Sequence, residues 1–120
     1  MRIISVIKAV MLSTCLLVTT QGITAEKETS ISINSGKKLA FARNKGNCLA
    51  CHRIEEGEFP GNIGPELKNI KQRFKSQIQL RQFIWDATAF NSETIMPPFG
   101  KHKILTEDEI DRLINYLWTL

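Results

Sequence analysis

After Cys51 the chain contains no further cysteine, and His102 is the only histidine besides His52. Structural zinc sites need a second ligand pair well downstream of the first, so these absences exclude a zinc finger or ribbon. No apolar run reaches the roughly 18 residues wanted for a membrane span. Internal repeats and low-complexity tracts are missing, and no block of like charge is long enough to mark a nucleic-acid-binding tail. No Ser/His/Asp or paired-carboxylate constellation presents itself. Methionine is just as sparse: beyond Met1 and Met11 there is only Met96.

What is present begins with a leader. Residues 1–25 read as a secretory signal peptide: Arg2 and Lys8 supply the positive start, Ala9 to Val18 the apolar region, and Ile23-Thr24-Ala25 the small-residue cleavage site. An uncleaved anchor is the alternative, but the apolar run is too short to span. Cys15 follows Leu12-Ser13-Thr14, a weak match to a lipoprotein cleavage box because Thr14 is a poor residue there. Cleavage near Ala25 takes two basic residues and no acid from the 16 basic and 12 acidic of the whole chain, leaving 14 against 12, or +2. That balance gives no reason to expect nucleic acid. The remaining chain, about 95 residues, is one small domain, marginal on its own apolar burial.

Cys48-Leu49-Ala50-Cys51-His52 is the central motif. Two thiols two residues apart lie on one side of a tight turn, where each can add across a porphyrin vinyl group while the next residue turns its imidazole to the iron; C-x-x-C-H is the attachment sequence of c-type haem. A Cys48–Cys51 disulfide with His52 incidental is the competing reading. A thioredoxin-like site, however, sits beside a βαβ pattern, and none is present. A covalent porphyrin would also supply core that so short a chain lacks.

Glu26 to Ile33 is a polar lead-in without clear periodicity, expected to be loose or laid over the surface. Asn34 or Ser35 can cap a helix through Gly36, Leu39 and Ala40 towards Arg43, with Gly46 ending it. Gly36 costs helix stability; it marks either a close helix crossing or merely a glycine at a helix start. Past His52, the breakers Gly57, Pro60, Gly61, Gly64 and Pro65 form a loop. The carbonyl near Pro65 could accept the free imidazole N–H of His52, or Gly64-Pro65 could be a simple turn. Leu67 to Phe74 reads as a short helix, and Ile78, Leu80, Phe83 and Ile84 as the apolar face of another ending near Asp86. Trp85 reads as packing.

Thr94-Ile95-Met96-Pro97-Pro98-Phe99-Gly100 is the second informative stretch, since two prolines and a glycine forbid a regular helix. Met96 is therefore presented from a loop, where its soft thioether suits an axial position on haem iron and would raise the potential. A gap-filling methionine is the plain alternative. His102, flanked by Lys101 and Lys103, reads as a solvated surface residue, and the two lysines as candidate docking charges. The chain ends in a helix with Thr106 as N-cap, Glu109 completing a capping box, and Ile110, Leu113, Ile114 and Leu117 as its buried stripe.

From about Ser35 to Leu120 these segments resemble class I c-type cytochromes, carried by Gly36, Phe41, Cys48, Cys51, His52, Gly64-Pro65, Met96, Ile110, Leu113 and Tyr116. The resemblance implies an all-α fold in which the first and last helices cross near Gly36 around one covalent haem c, with His52 and Met96 as iron ligands and Pro65 supporting His52. More narrowly, the segments 43–52, 61–67 and 96–100 are similar to the SoxX-type subunits of SoxAX thiosulfate-oxidising complexes. That similarity implies a periplasmic location and a SoxA-like cytochrome partner. It also implies an L-cysteine S-thiosulfotransferase reaction that joins thiosulfate to a carrier-protein cysteine, with electrons passed to a downstream acceptor. With Cys48 and Cys51 alkylated and Cys15 removed, the mature chain would hold no free thiol and would be the electron-accepting component. A free-standing electron shuttle and a haem-based ligand sensor are the other two readings.

Overall fold

The computed structural model describes residues 22–120. The greater part of the expected leader, Cys15 included, lies outside the described residues. Those described form four α-helices and two short 3-10 turns, with no strand among them: α1 Gly22–Phe41, a turn Cys48–Ala50, α2 Ile70–Arg73, α3 Gln77–Trp85, a turn Ala87–Ala89, and α4 Glu107–Leu117.

The first helix corrects one expectation. It already runs from Gly22, the first described residue, and not only from Asn34 or Ser35, so the polar lead-in is helical. Neither glycine nor proline occurs between Ala25 and Ser35 to interrupt it. The hydroxyls of Thr29 and Ser30 donate back to the carbonyls of Ala25 and Glu26 at 2.9 Å each, settling polar groups that would otherwise favour a turn. Residues 25–31 are exposed; burial sets in only as α1 reaches α4.

α1 and α4 cross at Gly36, which is buried. A methyl group there would run into the Arg112 carbonyl and come within 2.9 Å of Tyr116 Cβ. Of the two readings of this glycine, the structure selects the close crossing. Around it the Phe41 and Tyr116 rings lie 6.2 Å apart, and Asn115 Nδ2 donates to Ser32 Oγ at 2.9 Å. The expected stripe of α4 is buried throughout: Ile110 and Leu113 are at 0% exposure, with Ile114 and Leu117 close behind. Each such side chain contributes about 1.5–3 kcal/mol, which makes this helix the main support of the core. Its N-terminus carries the full capping box, Thr106 Oγ1 accepting from Glu109 N and Glu109 Oε2 from Thr106 N.

Two further details differ from expectation. The helix after the proximal loop covers only Ile70–Arg73, because Asn69 adopts a left-handed conformation (φ 52°) and Leu67 N–H is drawn to Arg53 O at 2.8 Å. In α3, Leu80 and Ile84 are buried but Ile78 is 71% exposed. Two residues along a helix turn the side chain by about 200°, so Ile78 points away from the face that Leu80 packs against α4.

Candidate haem site

The site starts where α1 ends. Gly46 N–H folds back to Leu39 O at 3.0 Å and Asn47 takes a left-handed conformation (φ 47°), so that Cys48 opens a 3-10 turn against the core. Within that turn Cys48 O accepts from Cys51 N at 3.2 Å and His52 N at 2.8 Å. One turn thus presents both thiols and the imidazole. The thiols are free and half-buried. Burial, reinforced by the neighbouring Cys51, pushes the Cys48 thiol up to about 11 against an opposing backbone hydrogen bond.

The breaker-rich loop wraps this turn. Gly61 N donates to Leu49 O and Gly64 N to Cys51 O, both at 2.8 Å. Gly64 then lies directly on the His52 ring: a Cβ there would sit 2.6 Å from Nδ1. Beside it, His52 Nδ1 lies 2.6 Å from Pro65 O. A carbonyl can only accept, so the imidazole proton is on Nδ1, and Nε2 keeps its lone pair for a metal with increased basicity. Gly64-Pro65 is more than a turn.

Met96 is half-buried on its proline loop, with its N–H donated to Thr94 Oγ1 at 3.2 Å. Met96 and Cys48 border the same hydrophobic core. His102 is exposed, as expected. Among the described residues no group of three or more His, Cys, Asp or Glu could hold a metal ion. The donor set that does exist is a paired thiol, an imidazole oriented through Nδ1 and a soft thioether, and it fits a covalently held haem. A cleft of about 780 Å³ bordered by Arg53, Ile54, Leu67 and Tyr116 contains none of those four donors.

The Cytochrome c family model matches residues 33–120. The chain belongs to the cytochrome c family. This cytochrome is also similar to a chain in the crystal structure of SoxXA from P. pantotrophus, at 28% sequence identity and a TM-score of 0.65, covering 72% of this chain and 79% of that one. The two matches support the SoxX-like resemblance and the class I fold with its crossing terminal helices. No curated protein matches the cytochrome by sequence. Family membership implies covalent haem c, and Cys48 and Cys51 stand at the C-x-x-C-H spacing.

Sequence reasoning missed the partners that hold the Met96 loop. Thr94 carries a legible signal, a hydroxyl two residues before a backbone N–H that it can cap. The contact of Lys45 with Glu109 at 2.6 Å, which ties the segment before Cys48 to the start of α4, has none. Nor does the pairing of Lys101 with Asp86 at 2.8 Å. No helix among the described residues is long and apolar enough to cross a membrane.

Proposed function

We propose that this cytochrome is the monohaem electron-transfer subunit of a periplasmic SoxAX-like enzyme, receiving electrons as thiosulfate is conjugated to a carrier-protein cysteine. Cys48 and Cys51 would hold the haem, and His52 Nε2 and Met96 Sδ would take the two axial positions. The group supplies outer-sphere electron transfer when bound, its potential raised by Met/His ligation. The chain's own part is to fix the imidazole through Pro65 O, leave room for its ring at Gly64, and hold the thioether half-buried in its loop. With both thiols committed, the catalytic cysteine would belong to the partner chain.

The observation that favours a committed partner over a free shuttle is exposed apolar surface on the two loops that carry the axial ligands. Phe59 is 97% exposed, Ile63 63% and Ile95 75%. Ile63 adjoins Gly64 on the His52 ring, and Ile95 adjoins Met96. Phe59 is moreover held at φ 52°, an uncommon backbone for a bulky side chain. Exposed large apolar side chains on each of these loops suit a protein interface.

Pull-down of the haem-loaded protein from periplasmic extract of thiosulfate-grown cells, with mass spectrometry, tests this. A stoichiometric second cytochrome bearing a modified cysteine is the expected outcome. A lone monomer that oxidase preparations oxidise would leave the shuttle reading, and carbon monoxide binding to the ferrous protein at neutral pH would favour a ligand sensor.

A further inference from the structure

The segment carrying Met96 leaves the body at Trp85 and returns at Gly100 and Lys101. Its two ends are pinned to each other. The carbonyl of Trp85, the last residue of α3, accepts from Gly100 N at 3.1 Å and from Lys101 N at 3.2 Å. Gly100 lies against the Trp85 indole. Lys101 Nζ donates to Asp86 Oδ2 at 2.8 Å, and Asp86 Oδ1 accepts from Thr88 N at 3.1 Å and from the Thr88 hydroxyl. The Asp86 side chain is only 15% exposed. Hydrogen bonds from Lys101 and then Thr88 hold its carboxyl below the usual carboxylate range.

Inside the loop, Phe99 is buried and Met96 packs against the core, but the backbone around the thioether has few ties. Pro97 and Pro98 have no N–H to give, Pro97 and Ile95 are exposed, and Met96 N–H is satisfied within the loop by Thr94. Closure at the base therefore acts together with that packing to set where the thioether sits.

We propose that the Asp86–Lys101 pair is a clasp that keeps Met96 seated, which makes Lys101 a positioning residue for the axial ligand and not a docking charge. The inference rests on Met96 being that ligand. If the base loosens when the thioether leaves the iron, weakening the clasp raises the population of the ligand-off state, and the apparent affinity of a competing ligand rises by the same factor.

The test is an imidazole titration of the ferric, haem-loaded protein, followed by loss of the far-red sulfur-to-iron absorption band. Lys101→Met and Asp86→Asn should each raise imidazole affinity about threefold, the scale of a partly exposed ion pair. The double variant should go no further than either single one. Lys101→Arg should restore the wild-type value, and Lys103→Met should leave it unchanged. Equal affinity in Lys101→Met and wild type overturns the clasp, whether or not thermal stability or partner electron transfer has changed, because a structural or docking role predicts that result. A wild-type protein without the far-red band overturns the assignment of Met96 and the clasp with it, so the two failures are distinguishable.

Discussion

His52 and Met96 illustrate how much a single residue's surroundings decide. His52 is ready for a metal because Pro65 O fixes the proton on Nδ1 and Gly64 leaves room for the ring. Met96 is ready because prolines keep it out of a helix. Met96→Ala should open one axial position: the reduction potential should fall, since the thioether is what raises it, and the ferrous protein should bind carbon monoxide. Equilibrium redox titration and the carbon monoxide difference spectrum check both parts. An unchanged potential would mean that Met96 is the gap-filling methionine of the plainer reading. At this scale the sequence made legible what the structure shows: a turn grouping Cys48, Cys51 and His52, the Pro65 carbonyl at His52 Nδ1 and a methionine presented from a loop. These are local patterns that depend on residue type and spacing.

Helices bring in terms that no local pattern contains. Gly36→Ala would gain up to about 1 kcal/mol of helix propensity, but the added methyl meets a backbone carbonyl that cannot swing aside. Overpacking of that kind costs about 1–3 kcal/mol, so the crossing should win. Chemical denaturation of the haem-loaded variant should show a net loss of about 1–2 kcal/mol; a gain would mean that α1 and α4 do not meet there. The α4 terminus has a pH signature. Lys45, and then the Thr106 N–H, hold the Glu109 carboxyl below its ordinary value. A depressed carboxylate stabilises the fold above its unfolded pKa, about 4.3, and that contribution is lost as pH falls through the folded value. Glu109→Gln should therefore lower the melting temperature near neutrality, with the gap to wild type closing as the pH drops below about 4. Thermal melts across that range check it, and a gap independent of pH would remove Glu109's charge from the account. The capping box could be read in advance because its residues are three apart. Lys45 could not, being brought to Glu109 only by the crossing of α1 and α4.

Across the whole molecule, the loops that hold the proposed axial ligands also carry Phe59, Ile63 and Ile95 into solvent. Buried aromatic and aliphatic anchors dominate interfaces, individual ones reaching about 2 kcal/mol or more. Replacing these three with serine should weaken association with the proposed partner by at least about thirtyfold. The haem absorption spectrum should be unaltered, since the side chains point outward. Binding measured by surface-immobilised partner checks the first half and visible spectroscopy the second. Retained binding would place the interface elsewhere on the cytochrome.

The amino-acid sequence by itself determined the chemistry. Thiol pair, imidazole, thioether loop, capped last helix and its apolar stripe are all written in residue type and short spacing, where covalent geometry and helical period leave few options. Only the tertiary structure decided what depends on which elements meet. It showed that Gly36 is a crossing point, that α1 continues through the polar lead-in, that Ile78 faces outward, and that Lys101 pairs with Asp86. Those outcomes are set by packing and pairing between positions distant in sequence, and a local pattern contains no record of its eventual neighbours.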